Sequence, residues 1–280
     1  MFDSVEAYHR PGSVAETIRL LNAKSARIIA GCTDAVVQGD DSARVLIDIT
    51  RAGLTYVRRR AGACTIGATT TMATLEESAE IRSFADGVFS RAAATCGSVQ
   101  IRNVATVGGN VANASPAADL AAPLMALDAM VVVANAKGRR KLPLSEYLGK
   151  RPPKTLLVEV VMPEPPRSRW SFQKLGRTEV DISLVSAVAG LQLDSKGRVK
   201  YVRIALGAVA RHPFRAVDAE KILDGRVLDH AAITDAADAA SRATSPISDV
   251  RASANYRREM SRVFTKRALE ECAARAGWSL

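Results

Sequence analysis

Two short stretches carry residue types that could do chemistry. The longer runs from Ala105 to Asp119 and reads ATVGGNVANASPAAD, with adjacent glycines at 108 and 109. Glycine adopts backbone angles closed to other residues and lets another group come close to the main chain. A turn of that kind aims several N–H groups at one spot, which makes an anion site of the sort that suits phosphate. The apolar run Leu120 to Leu127 reads as a helix just beyond it, and helix starts also favour anions. The second stretch is Gly31-Cys32-Thr33-Asp34, fed by the short apolar strand Arg27 to Ala30 and followed by Ala35-Val36-Val37. It is a second candidate phosphate loop. For either stretch taken alone, a tight turn that binds nothing is the plainer alternative.

The 280 residues that must position these loops suggest two domains or one large one. Hydrophobic residues make up 48% and charged residues 24%, an ordinary globular balance. The start, MFDSVEAYHR, lacks the basic and apolar regions of a signal peptide, and no apolar run reaches the roughly 18 residues that span a membrane. A cytoplasmic protein is expected. Cys32, Cys64, Cys96 and Cys272 stand far apart, as do His9, His212 and His230, so neither a zinc nor an iron–sulfur site is expected on this chain. The formal net charge of +10 invites a nucleic-acid reading. The few aromatics do not interleave with the basic clusters, however, and Arg58 to Arg60 and Arg139 to Lys141 read as strand-end or hairpin charges. A solvated basic face, or one turned to an acidic partner, is the reading taken here.

The elements follow in order. Ser13 to Glu16 is a capping box, with Val14, Ile18 and Leu21 on one helical face. Val45 to Ile49 is a buried strand. Tyr56 to Arg58 and Cys64 to Ala68 are strands joined by a turn with Gly62. Thr70 to Leu75 feeds a helix, and a helical pattern at Ala92 to Cys96 continues to Asn103. Ala129 to Ala134 is a strand turned by Asn135 to Gly138. Leu156 to Val161 is another, closed by the proline cluster 163–166, the best compositional boundary. Beyond it lie strands Leu184 to Leu193 and Val199 to Val209 about the hairpin Asp194 to Gly197, then helices near Arg215 to Leu223, Ala231 to Arg242 and Ser253 to Ala276. The last helix carries a core stripe of Met260, Val263, Phe264, Leu269 and Cys272. The expected class is α+β. No G-x-G-x-x-G, G-x-x-x-x-G-K-[ST] or G-x-S-x-G occurs, which argues against Rossmann, P-loop and serine α/β-hydrolase chemistry.

At the two loops the chain resembles the FAD-binding medium subunit of the molybdenum hydroxylases, the family of xanthine dehydrogenase and carbon monoxide dehydrogenase. The family's A-G-G-T-D is Ala30 to Asp34 here. Its Q-I-R-N-x-A-T-x-G-G-N and N-x-S-P-x-A-D are matched by Gln100 to Asn110 and Asn113 to Asp119. Leu46 to Ile49, Ile66 to Thr70, Leu156 to Glu159, Phe172 to Arg177, Pro246 to Arg251 and Tyr256 to Arg258 extend the likeness along nearly the whole chain.

The resemblance implies an FAD-binding domain at 1–166, built of two α+β subdomains (about 1–53 and 54–166). A C-terminal domain with a small antiparallel sheet and helices would follow at 167–280. FAD would lie extended against Ile29, Ala30, Gly31, Cys32, Thr33, Asp34 and Ala35. The main-chain amides of Gly31 to Asp34 would hold one side of the pyrophosphate, and Thr106, Gly108, Gly109 and Asn110 the other. Asn113 and Asp119 would bond ribityl or ribose hydroxyls, and Lys174 would approach the isoalloxazine. Simple helix caps at Asp34 and Asp119 and a solvated strand lysine at Lys174 are the alternatives. Cys32 departs from the family's second glycine. It costs roughly 1 kcal/mol or more if the position needs a left-handed backbone, and little if it only presents an amide.

The activity implied is that of an oxidoreductase subunit without catalytic residues of its own. It would take electrons from two-iron, two-sulfur clusters on a small subunit, beside a large molybdopterin subunit, and pass them to NAD, oxygen or another acceptor. The rivals are a stand-alone FAD-dependent oxidoreductase with its own substrate and, in another class, a basic nucleic-acid-binding protein.

Overall fold

The computed structural model describes residues 2–60 and 62–280. The chain opens with β1 (Ala7–His9), α1 (Val14–Leu20), β2 (Ala26–Ile29), α2 (Ala35–Gln38) and β3 (Val45–Asp48). The three strands form a parallel sheet ordered β1-β3-β2, with Ala7 and Ala26 both opposite Val45. Strand β1 was not expected from the sequence, being three residues of mixed polarity at a sheet edge. The capping box closes one residue early. Ser13 Oγ accepts from Glu16 N, while the Glu16 carboxylate accepts from Gly12 N at 2.8 Å.

The middle of the chain contributes β4 (Val57–Arg60), β5 (Ala63–Gly67), α3 (Met72–Glu77), α4 (Ala79–Ser83), α5 (Val88–Ala94), α6 (Val99–Val104), α7 (Val107–Asn113), α8 (Ala121–Ala126), β6 (Met130–Asn135), β7 (Gly138–Pro143), α9 (Leu144–Gly149) and β8 (Leu156–Pro163). Its sheet is antiparallel, ordered β4-β5-β8-β6-β7. The arginine clusters at 58–60 and 139–140 lie on β4 and β7, the two edge strands. Charge there deters pairing with another sheet edge, which accounts for part of the basic excess without any nucleic acid.

Two expectations in this region change. The helical pattern from Ala92 does not run on to Asn103. Gly97 takes φ +62°, and Ser98 starts α6 by accepting from Ile101 N. The glycine pair is not a turn ahead of the Leu120 helix either. It forms the first turn of α7, capped by the Thr106 hydroxyl. The small residues that suggested a loop are needed for close packing, as the site shows.

After the proline cluster come β9 (Arg169–Leu175), β10 (Val185–Leu193), β11 (Val199–Gly207), β12 (Phe214–Arg215), α10 (Val217–Leu223), α11 (His230–Arg242) and α12 (Ala254–Arg275). The strands make an antiparallel sheet ordered β12-β11-β10-β9, so the α+β class holds. This sheet serves two cores. Trp170, Val188 and Ala205 pack into the core of the first two sheets, whereas Val185, Ala187, Ala189 and Leu191 face α10 to α12. Alternation along β10 produces that split, because successive side chains point to opposite faces. Of the stripe on α12, Phe264, Leu269 and Cys272 are buried, and Met260 and Val263 are packed against the same core.

Trp170 sits directly opposite Gly190 in the sheet, and its indole fills the space a side chain would take: a Cβ on Gly190 would lie 2.7 Å from the ring. Gly190→Ala therefore forces the indole out of its place over the strand. The expected loss is about 1–3 kcal/mol of stability, read by denaturant unfolding followed through tryptophan fluorescence.

Candidate functional site

Both candidate loops open onto one cleft of about 600 Å³ between the parallel sheet and α7. That volume lies in the range of ligand pockets. Residues Ile29 to Ala35, with Thr106, Gly108, Gly109, Asn110, Asn113 and Asp119, line it. Lys174 does not. It lies one layer behind the wall.

The first loop is shaped by two residues. Gly31 presses on the end of α6 so closely that a Cβ would stand 1.9 Å from the Val104 carbonyl oxygen. Cys32 takes φ +58°, so the loop does need the left-handed backbone, and cysteine there is strained by about 1–2 kcal/mol. Its Sγ faces the Ala30 carbonyl at 3.4 Å, and burial pushes its thiol up. The consequence is chemical. Among the described residues, the N–H groups of Gly31, Cys32, Thr33 and Asp34 find no acceptor in the protein. Such runs of unpaired donors are rare away from water and form anion-binding nests. Asp34 makes no side-chain cap on α2. Its carboxylate instead accepts from Asn113 Nδ2 at 3.0 Å, and Gln38 Nε2 donates to Asn113 Oδ1 at 3.4 Å, so these side chains bridge the cleft.

The second region offers something different from what its glycines suggest. Gly108 N donates to Ala68 O, Gly109 N to Thr106 Oγ1 and Asn110 N to Thr106 O. Those three amides are engaged within the protein, whereas no such bond engages the N–H groups of Gly31 to Asp34 among the described residues. Gly108 is a packing residue, since a Cβ would come within 2.7 Å of Ala68. Gly109 is exposed to the cleft, and a Cβ there would crowd only Thr106 Oγ1, at 3.0 Å. Its smallness leaves room for a ligand. Beside it, Asn110 Oδ1 is buried without a partner. An orphaned acceptor on a cleft wall calls for a ligand donor.

Asp119 closes one end of the cleft. It is not the cap of α8, which starts at Leu120 without a side-chain cap. Asp119 Oδ2 pairs with Lys174 Nζ at 3.0 Å, and Ser183 Oγ donates to Oδ1 at 2.8 Å. The two charged side chains are only 7% and 9% exposed, and Lys174 also donates to Thr95 O. Burial pushes the Asp119 carboxyl up against the opposing pull of Lys174 and Ser183. Ser183 and the nearby wall residues Cys96, Tyr147, Val180 and Ile182 were not foreseen. Val180 and Ile182 sit in the loop between β9 and β10, which has no sequence period. Leu156 and Leu157 did have a signal, the L-L-V-E match, but it reads equally as plain strand. Among the described residues, no three His, Cys, Asp or Glu side chains gather to hold a metal, and no helix is long and apolar enough to cross a membrane.

A nest of free amides, a glycine floor and an orphaned side-chain acceptor in one cleft suit a phosphorylated, hydroxyl-bearing cofactor. The comparisons with known proteins agree. The family model for the FAD binding domain in molybdopterin dehydrogenase matches residues 2–165, and that for the CO dehydrogenase flavoprotein C-terminal domain matches residues 170–272. The chain is 34% identical to the 6-hydroxypseudooxynicotine dehydrogenase complex subunit alpha of Paenarthrobacter nicotinovorans, covering 94% of this chain and 93% of that one. It is 31% identical to the carbon monoxide dehydrogenase medium chain of Afipia carboxidovorans, over 96% and 97%. Carbon monoxide dehydrogenase from Hydrogenophaga pseudoflava, solved in a form lacking the Mo-pyranopterin moiety of its molybdenum cofactor, superposes with a TM-score of 0.91 at 30% identity, over 97% and 98%. The chain is thus a flavoprotein component of an oxidoreductase. It belongs to the family of FAD-binding medium subunits of the molybdenum hydroxylases.

The close contact at Gly108 and the strained backbone at Cys32 separate by substitution. Gly108→Ala drives a methyl group into Ala68 and is expected to cost about 1–3 kcal/mol. Cys32→Gly relieves the left-handed strain and, net of the greater freedom of glycine in the unfolded chain, raises stability by up to about 1 kcal/mol. Thermal and urea unfolding of both variants beside the parent measures the opposite signs.

Proposed function

We propose that the cleft holds FAD extended along the two loops, and that the chain relays electrons within a multi-subunit molybdenum hydroxylase. The observation that carries the reading is the run of four unsatisfied amides at Gly31 to Asp34 facing Gly109 and the orphaned Asn110 Oδ1. A diphosphate needs converging donors, and the first loop supplies them. Asn110 Oδ1 is an acceptor, which suits a ribityl or ribose hydroxyl rather than a phosphate. FAD, when bound, supplies the capacity to take electrons singly and release them in pairs.

The remaining work belongs to the protein. Gly109 lets the cofactor lie against α7. Lys174 and Ser183 hold Asp119 in one orientation at the cleft end, so its contribution is a fixed hydrogen-bonding wall, and Lys174 acts through it rather than by direct approach. The Cys96 thiol is pushed up to about 11 by burial, and Cys32 is raised too, so neither is a competing nucleophile at neutral pH. Electrons would come from iron–sulfur clusters on a small partner subunit, with molybdopterin on a large one, and leave to NAD, oxygen or another acceptor. The relatives' names, a complex subunit alpha and a medium chain, support such partners. So do Val36, Val37, Val180 and Ile182, large apolar side chains exposed on and beside the cleft wall. Exposed apolar groups in one region mark a contact surface.

The purified chain is expected to show flavin absorbance at one FAD per chain, released by heat. A colourless protein that also refuses added FAD overturns the assignment. Gly109→Val is expected to lose FAD while unfolding within about 1 kcal/mol of the parent. Alkylation of Cys32 by N-ethylmaleimide should be slow at neutral pH, quicken as pH rises toward its raised pKa, and be suppressed by FAD; equal labelling with and without FAD would place the cofactor elsewhere. Mixing with a chemically reduced iron–sulfur partner should bleach the flavin, and an unchanged spectrum would sink the relay.

A further inference from the structure

A second cavity, of about 740 Å³, lies where three parts of the fold meet. Its walls are the β2 edge, the Arg151-Pro-Pro-Lys154 strap that joins α9 to β8, and the segment after β11 that carries Arg211 and His212. It shares Ala26 to Ile28, Ala112, Tyr147, Arg151 and Thr155 with the flavin cleft but extends beyond it.

Its charge is one-sided. Arg27, Arg151, Lys154 and Arg211 line it with His212, and no Asp or Glu does. Arg27 is neutralised by Asp40 at 2.8 Å. Among the described residues, Arg151, Lys154 and Arg211 have no carboxylate within ion-pair distance. Arg151 is nevertheless held in place, its Nη1 donating to Ala112 O at 2.6 Å. All three side chains are exposed, and a groove lined by cations with no acid raises the local concentration of anions.

Two further observations point the same way. Lys154 takes φ +48°, a left-handed backbone that lysine rarely adopts, directly after Pro152 and Pro153. Residues held in such conformations cluster at ligand clamps. His212 Nδ1 is buried without a hydrogen-bond partner. Burial and the nearby Arg211 and Arg151 lower the His212 pKa. Tyr147 lines both cavities and adds a hydroxyl at their junction.

We propose that this groove is a second anion site that takes a diphosphate group, gripped by Arg151, Lys154 and Arg211 and accepting or donating at Tyr147 and His212. The group could arrive as inorganic pyrophosphate or as part of a nucleoside diphosphate. The inference goes beyond the flavin reading. It is tested on the FAD-saturated chain, so that the nest at Gly31 to Asp34 is already filled.

The experiment is isothermal titration at low salt with inorganic pyrophosphate and, separately, with ADP. The expected result is saturable binding of one equivalent that weakens as salt rises. Lys154→Gln combined with Arg211→Gln should weaken it about tenfold or more, with flavin absorbance per chain unchanged. Lys154→Arg, which keeps the charge, should retain it. ADP binding tighter than pyrophosphate would identify a nucleotide, and equal affinities a simple phosphate compound. No heat of binding, or the same affinity in the double variant, overturns the proposal. Loss of FAD together with the probe would show the groove to be part of the flavin cleft and would equally overturn it. Flavin absorbance reads the cofactor assignment separately from the heat, so either can fail alone.

Discussion

The contact that the rest of the structure depends on is the one between Gly31 and the Val104 carbonyl, where there is no space for even a methyl group. It joins the parallel sheet to the helices of the second unit at the point where the chain leaves β2. Because the approach is backbone on backbone, it cannot be relaxed by a rotamer change. It fixes how far the loop 31–34 stands from α7, and hence the width of the cleft. Gly108 on Ala68 does the same from the other side. The cleft is set by two main-chain contacts, with Asp34, Asn113 and Gln38 as an adjustable bridge across it.

That geometry explains which parts of the site could be read from the sequence. The two loops were legible because glycine in a run of small residues has few explanations, and both loops do meet. Their roles were not fully legible. Gly31, Gly108 and Gly109 look alike as letters, yet one admits a carbonyl, one admits a methyl group and one faces open cleft. The difference lies in what each meets, and only the fold brings those partners together. Asp34 was open between a cap and a bridge, and the partner that decides it, Asn113, lies on another helix. Ser183 was invisible for the same reason: its partner is 64 positions away.

At the level of elements, long periodic stretches such as α11 and α12 and the strands of the last sheet were readable because their patterns repeat several times. Short elements were not. Strand β1 has three residues, and the interruption at Gly97 needs only one left-handed position to split an otherwise continuous helical pattern. The basic charge was readable as a total and ambiguous in meaning. The structure divides it into edge-strand arginines that shield a sheet and a groove lined by cations and no acid.

The Lys174–Asp119–Ser183 cluster ties together parts that are far apart in the chain. Asp119 belongs to the stretch before α8, and its two partners come from β9 and from the loop ahead of β10. One face of Asp119 lines the cleft and the other anchors the last sheet. Whatever fills the cleft and whatever seats that sheet thus act on the same carboxylate. Thermodynamic linkage makes such an arrangement reciprocal: where one event favours the other, the second favours the first by the same free energy. The retained cofactor would then also be a clasp on the C-terminal half, and a chain that lost it would loosen first at the seam between the two cores.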